Sequence, residues 1–581
     1  MMRKYLYVTS FVAIALIEIG PGAGPTAANW GDCGTPICEA PGGQYPPYAV
    51  PDGAGGAFIA WSDERGGDRD IYLQHVNSAG IAQWLPDGVV VCAAAEDQLI
   101  GGLISDGTGG VIVVWEDYRA KTATAGAANA LAFDYVDIYA QRVDSSGDTL
   151  WTANGAAVCT EANNQTFPSI VSDGAGGAFV AWTDERSDEY GDIYAQRVNS
   201  LGFGATMAGG YPVCSIAGKE QGVPLLVSDG GSGAIVCWRD ARSTTGYDLY
   251  AQHIDQSVFP TWAWPDGVPI CTASGFQWFH QVVADGEGGA IIAWIDARTY
   301  SSELFAQRVD ESGVVQWPAD GVVIDSGKWY RYHPVAVSDG NGGAVVVWEH
   351  DDWSVPMNPD VRAQRIDSDG NTQWPGGGVA LTTAPNEQTY LSAASDGAGG
   401  AVVAWQDGRS GILYDVFAQS VDSAGVNRWG PDGVAVCSVD DYGQTSPCVV
   451  NDGYGGAIIA WTDDRDEAAG DIYAQKYEIA TGIRWGQHTP ATHLAQNRPN
   501  PFNPVTTISY QLDGAGHVTL RIYDTAGRLV RTLVDDERSA GPHNVQWDGT
   551  GKDGRVVASG LYFCRLEAGD FVQTRKMLLL K

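Results

Sequence analysis

At 581 residues, with 44% apolar and 10% aromatic side chains, the chain can fill a large core and is too long for a disulfide-stapled miniature fold. Its 70 acidic against 34 basic residues leave a net charge of −36, which repels phosphate backbones and anionic lipid headgroups and so excludes nucleic-acid or membrane binding through bulk charge.

Arg3 and Lys4 precede an apolar stretch from Tyr5 to Ile17, and small residues run on to Ala27 and Ala28, the order of a secretory signal peptide. The stretch is too short to span ~30 Å of hydrocarbon, and Glu18 closes it. Residues 1–28 are therefore read as a removable export signal. No later segment approaches the length of a membrane span.

From residue 29 the chain repeats itself. Trp61, Trp115, Trp182, Trp238, Trp294, Trp348, Trp405 and Trp461 each end an apolar run, at intervals of 54, 67, 56, 56, 54, 57 and 56 residues. A turn of the form Asp-Gly-x-Gly-Gly or a close variant precedes each run, at Asp52, Asp106, Asp173, Asp229, Asp285, Asp339, Asp396 and Asp452. A segment like Asp-Ile-Tyr-Ala-Gln-Arg-Val-Asp follows, then a Ser-x-Gly-type turn, a second Trp and a Gly-Val-x-Val-Cys run, as in Trp84 to Cys92. Each unit reads as four short strands. The Trp-ended strand, apolar at successive positions, needs cover on both faces, whereas the Asp-Ile-Tyr-Ala-Gln strand alternates like a half-exposed one. Such units must stack on one another, which predicts an all-β fold: an eight-bladed β-propeller of ~56-residue four-stranded repeats over residues 29–490. A row of two-sheet sandwiches is the rival arrangement. The stretch Trp30 to Cys38 either supplies the missing strand of the last unit or opens the first, and the sequence leaves both open.

Cys38, Cys92, Cys159, Cys214, Cys271 and Cys437 occupy one place in successive units, too far apart to bridge one another, and are expected as buried small apolar residues. Cys437 with Cys448, and Cys33 with Cys38, are the local pairs left open. Seven units carry Trp-x-Asp-x-Arg, from Asp63 and Arg65 to Asp463 and Arg465; a motif needed seven times reads as scaffold that fixes the loop to the next strand, where an acid recurs at Asp70, Asp137, Asp192, Asp248, Glu303, Asp415 and Asp471. The Asp-Gly turns raise a calcium alternative, but they lack the alternating carboxylates of a calcium loop, so no cofactor or metal site is assigned.

Departures from a repeat point to a site better than the repeat itself. The second unit carries an insertion, Ala120 to Val136; the fifth reads Phe276-Gln-Trp-Phe-His280; the sixth reads Trp329-Tyr-Arg-Tyr-His333 and replaces Asp-x-Arg with Glu349-His-Asp-Asp-Trp353. All fall in loops of one parity, so one face of the ring is expected to gather Trp278, Phe279, His280, Trp329, Tyr330, Tyr332, His333, His350 and Trp353 as a platform for a carbohydrate or peptide. No catalytic residue is assigned, because zinc-protease, serine-hydrolase and phosphate-loop motifs are absent; a glycosidase using Asp351 or Asp352 is the enzymatic alternative.

After residue 493 the charge balance changes: the last 88 residues hold 11 basic and 9 acidic side chains. Strands are predicted at Thr506 to Leu512, His517 to Tyr523, His543 to Trp547, Gly560 to Glu567 and Phe571 to Leu580, as a small Ig-like β-sandwich spanning 491–581. The motifs Pro499-Asn-Pro-Phe-Asn-Pro504, Ile522-Tyr-Asp-Thr-Ala-Gly-Arg-Leu-Val530, Ser559-Gly-Leu-Tyr-Phe563 and Lys576-Met-Leu-Leu-Leu-Lys581 resemble the carboxy-terminal sorting domain of type IX secretion cargo and the related Ig-like module of flagellar hook-capping proteins. The resemblance implies passage through an outer-membrane translocon that reads residues 494–581. The repeats resemble those of secreted bacterial propellers. Together these readings give an exported bacterial surface or extracellular binding protein, with a secreted polysaccharide hydrolase or lyase and a structural envelope component as alternatives.

Overall fold

The structure, a computed structural model, describes residues 30–31, 33–120, 135–204, 209–244, 246–263, 265–299, 301–327, 330–351, 358–411, 413–438, 442–465, 470–479, 493–494, 497, 500, 502–512, 515–525, 527–539, 541–552, 554–569 and 571–580. The signal segment, most of the second-unit insertion, Trp329, Asp352 and Trp353 lie outside them. Two compact units divide between Trp485 and Gly486.

Among the described residues, the first unit has eight four-stranded antiparallel sheets. Their first strands are Tyr48–Pro51, Gln98–Ser105, Gln165–Ser172, Gln221–Ser228, Gln277–Ala284, Tyr330–Ser338, Gln388–Ser395 and Gln444–Asn451. Each touches the next, and the last touches the first, so these strands surround a central opening and the sheets form the eight blades of a closed propeller. The closing strand is Thr35–Cys38, which pairs with Asp471–Glu478 and completes the last blade from the amino terminus. Trp30 lies with it and donates its indole N–H to Ser78 of the first blade.

The Trp-ended second strands are buried along their whole length in several blades, for example Ala178–Asp184 and Ala290–Asp296. The third strands depart from the expected half-exposed alternation: in Asp192–Val198 only Tyr194 and Arg197 are half-buried and the rest is buried. Charge pairing covers the outer positions, since Arg197 reaches Asp173 at 2.8 Å and Arg186 lies 4.0 Å over the Tyr194 ring.

The Trp-x-Asp-x-Arg motif holds neighbouring blades together. In seven blades the core Trp indole N–H donates to the Asp at 2.7–2.9 Å, and the Arg guanidinium meets the same carboxylate at 2.5–2.7 Å. The Arg also donates to a carbonyl of the loop before its own outer strand, such as Gly209, and lies against the last residue of the preceding blade's outer strand, a Cys in six joints and Thr382 in the seventh. It stacks 3.6–4.0 Å over an aromatic ring of the third strand, and in the third blade the loop is tied to the recurring acid as well, the Ser187 hydroxyl donating to Asp192 at 2.5 Å. Those acids sit beside the paired carboxylate, and burial pushes Asp70 and Asp137 up to about 6. The second Trp that most units carry serves the same joint: Trp317 donates to the Ser368 carbonyl, and Gly370, at φ 84°, lies flat on that indole where a Cβ would sit 3.0 Å from the ring.

In each Asp-Gly turn the carboxylate accepts the backbone N–H four residues on and closes the turn. Asp285 Oδ1 accepts the N–H groups of Glu287 and Gly289 at 2.8 Å, and Oδ2 accepts from Arg308 at 2.9 Å. Cys38, Cys92, Cys159 and Cys271 are buried thiols pushed up to about 12 by desolvation, as small apolar residues should be. The disulfide corrects both local pairings: Cys33 bonds Cys437, 404 residues away, with Cα atoms 4.9 Å apart. Ring closure brings them together, because Cys33 precedes the closing strand and Cys437 ends the outer strand Val434–Cys437 of the adjoining blade.

The carboxy-terminal unit has a sheet of three strands, His493–Leu494, Thr506–Leu512 and Gly541–Trp547, and one of four, Leu529–Arg538, Gly516–Asp524, Gly560–Ala568 and Phe571–Leu579. Its core includes Phe502, Ile508, Leu520, Ile522, Trp547, Leu566 and Met577. Phe502 of the Asn-Pro-Phe-Asn-Pro motif is buried against Trp547 and exchanges backbone hydrogen bonds with the last strand, through the Leu578 carbonyl and the Leu580 N–H.

Candidate ligand-binding site

Seven of the first strands begin beside the end of their second strands, as in the pairings Gln277 with Asp296 and Gln388 with Asp407. Two residues later comes a bulge: Phe279 and His280 together oppose Trp294. The first bulged residue has a left-handed backbone in six units, at Phe167 (54°), Val223 (54°), Phe279 (51°), His333 (43°), Tyr390 (53°) and Ser446 (52°). Bulky side chains avoid this region, so a recurring cost is maintained around one mouth of the central opening.

Several predicted residues meet there. Tyr247, Phe276, Trp278, Phe279, His333, Tyr332 and Tyr330 form a continuous run of rings with successive centroids 5.8, 5.6, 6.4, 5.1, 6.3 and 6.2 Å apart. Phe279 is 49% exposed, and the His333 side chain 59%. Trp278, Tyr330 and Tyr332 are half-buried, with Trp278 packed against the joint between blades five and six.

A recess of about 500 Å³ adjoins the run, walled by Phe279, His333, Glu349, Glu387, Tyr390 and Tyr414 among others. Glu349 organises it. Its buried carboxylate takes the His333 Nδ1–H at 3.0 Å and the backbone N–H of Tyr390 at 3.2 Å, which leaves His333 Nε2 at the exposed pole of the ring. The bond to Glu349 raises the His333 pKa above its ordinary value against the opposing effect of burial. Tyr390 is 65% exposed, and the Tyr414 hydroxyl donates to Glu387. The arrangement offers flat apolar faces beside hydrogen-bonding groups already held in place.

The structure removes two predicted residues from this surface. His280, the second residue of its bulge, turns into the seam between blades four and five; it is buried, and desolvation lowers it to about 4. His350 is buried in a rearranged joint. There Asp325 stands where six other outer strands end in Cys and one in Thr382, Arg331 where the other units have Gln, and His350 where the other blades have the motif Asp. Arg331 Nε reaches Asp325 at 2.7 Å and His350 Nδ1 lies 3.5 Å from it. Although burial opposes it, these two bases hold Asp325 below the usual carboxylate range. The sixth-blade departure at these positions is thus an exchange of one joint for another. Sequence reasoning missed Tyr390, Glu349, Glu387 and Tyr414. Aligning the units on their Gln would have found Tyr390, which stands where the fifth unit has Phe279.

Among the described residues, no helix is long and apolar enough to cross a membrane. Residues 502–570 match the FlgD Ig-like domain. Over 101 residues, 17% of this chain, the sequence is 33% identical to the basal-body rod modification proteins FlgD of Salmonella typhimurium and Salmonella typhi, and the chain spans 44% of their length. Among solved structures, the chain is similar to a polysaccharide lyase PL25, an ulvan lyase, with TM-score 0.42 and 9% identity over 77% of this chain and 96% of that one. It is similar to the BP39L lectin of Burkholderia pseudomallei, with TM-score 0.41 and 14% identity over 67% and 98%. It is also similar to PorZ, a surface component of the type IX secretion system of Porphyromonas gingivalis, with TM-score 0.21 and 12% identity over 90% and 74%. The FlgD likeness lies in the small carboxy-terminal unit, and the blades carry the recess.

Proposed function

We propose that this protein is an exported bacterial recognition protein whose propeller binds a neutral carbohydrate at the recess of blades five to seven. The observation that carries the reading is the unbroken run of rings from Tyr247 to Tyr330, bordered by the Glu349–His333 pair and Tyr390. Flat rings cover the apolar faces of sugars while fixed polar groups take their hydroxyls. An extended peptide is less well served, since the bulge in the first strand interrupts the edge on which it would add as a strand. The acidic blades favour a neutral polymer over a polyanion. The Ig-like carboxy-terminal unit acts in this reading as the sorting signal for an outer-membrane translocon, and Cys33–Cys437 suits the oxidising compartment that export reaches.

The test is electrophoresis of the purified protein through native gels containing hydroxyethylcellulose, glucomannan, xylan or pullulan, with alginate as the acidic comparison. At least one neutral polymer should retard the protein, and Phe279→Ala with Tyr390→Ala should sharply reduce the retardation without loss of near-ultraviolet circular dichroism. Migration unchanged in every neutral gel overturns the reading; retardation by alginate alone does so as well.

A further inference from the structure

The recess of blades five to seven has a counterpart half a turn around the ring. About 300 Å³ is walled by Tyr48, Ile100, Glu116, Phe167 and Val223 among others, from blades one to four. Glu116 and Glu349 each follow the core Trp of their unit, and no other unit has a carboxylate at that place. They belong to the second and sixth of eight blades, four apart. Each does the same work: Glu116 accepts the backbone N–H of Phe167 at 2.7 Å, as Glu349 accepts that of Tyr390 at 3.2 Å. Phe167 and Tyr390 are 56% and 65% exposed, both with left-handed backbones on the bulge of the following blade. A carboxylate, buried at Glu349 and half-buried at Glu116, thus pins a strained bulge and presents its aromatic ring, once on each side of the central opening. The two are not identical: Ile100 lines the smaller recess where His333 lines the larger, and Tyr48 and Glu116 are the polar side chains of the smaller, whereas Gln281, Glu387, Thr389 and Tyr414 add further polar groups to the larger.

We infer that the ring carries two like-built carbohydrate subsites, one at Glu116 and Phe167 and one at Glu349 and Tyr390, which together hold one neutral polysaccharide chain. The inference rests on the carbohydrate reading of the larger recess and adds a second site to it. Two weak subsites on one rigid scaffold grip a long polymer far more tightly than either grips a short fragment, because the second engagement is intramolecular. A polar, repeating polymer is the occupant that can present the same group to both.

Phe167→Gly and Tyr390→Gly test it well, since glycine accepts the left-handed backbone at both positions and only the ring is lost. The purified protein is titrated by calorimetry with the hexasaccharide of whichever neutral polymer retards it most among hydroxyethylcellulose, glucomannan, xylan and pullulan. Two hexasaccharides per protein are expected, one in either single variant and none in the double. The dissociation constant for the intact polymer should rise about 10-fold or more in each single variant. Melting temperatures of the variants at or above that of the wild type show that the fold is intact; should Phe167→Gly melt lower, Glu116→Gln serves as the second variant, expected to weaken the polymer in the same direction. A wild-type ratio of one, unchanged by the substitutions at the smaller recess, overturns the second subsite and leaves the carbohydrate reading standing. No retardation of the wild type in any neutral gel overturns the carbohydrate reading and the second subsite with it.

Discussion

Phe279 and His280 face a single partner across the strand, so the bulge sends one outward and the other into the seam between blades. A reading that takes aromatic residues in order has no means of telling such neighbours apart, and His280 was therefore placed with Phe279. Five other units have Pro at the His280 position, namely Pro47, Pro168, Pro224, Pro334 and Pro447. The buried imidazole refuses a proton down to about pH 4, whereas in the unfolded chain it takes one near 6.5. The unfolded state then binds more protons between those values, so stability falls as pH drops from 6.5 toward 4, by about 3 kcal/mol in all. His280→Pro should flatten that slope and leave stability at pH 7.5 equal or higher, as read from urea unfolding at a series of pH values. An unaltered slope places the acid sensitivity elsewhere. Phe279 and His333 were legible because they interrupt the repeat, and Tyr390 was hidden because it does not.

At the level of the element, the repeating Trp, Asp and Arg make each joint a small buried network. Asp184 accepts from the Trp182 indole at 2.7 Å, the Arg186 backbone at 2.9 Å and the Arg186 side chain at 2.6 Å. Asp184→Ala strands a guanidinium and an indole N–H, a loss of about 3–5 kcal/mol. The matching Asp296→Ala should cost about the same, and the double variant the sum, because the joints are two blades apart and share no partner. Chemical denaturation of the three variants checks this; a double loss well below the sum would mean that the blades melt as coupled pairs. The core strands were legible from their unbroken apolar runs. Leu529–Arg538 was not, since it ends in Asp535, Asp536, Glu537 and Arg538 and its side chains are mostly exposed at the sheet edge, where the alternation of a half-buried strand never develops.

Over the whole molecule, eight tryptophans at near-constant spacing announced the ring, but the way it closes and the partner of Cys33 depend on contacts across 404 residues that local pattern does not carry. Chain-entropy arguments assign a bridge that closes so long a loop about 2–5 kcal/mol. Cys33→Ser should lower the melting temperature of the purified protein and remove most of its response to dithiothreitol, measured by differential scanning calorimetry with and without reductant. Equal melting of wild type and variant under oxidising conditions would show that the hydrogen bonds of Thr35–Cys38 close the circle unaided. Because the final blade borrows its outer strand from the beginning of the chain, the ring remains an open arc until residue 471 and those after it are free to reach back. A polypeptide threading through a narrow conduit, from either end, is held in that arc with two bare flanks until its tail has nearly cleared, so a nick or a premature stop ahead of residue 471 leaves the circle permanently ajar.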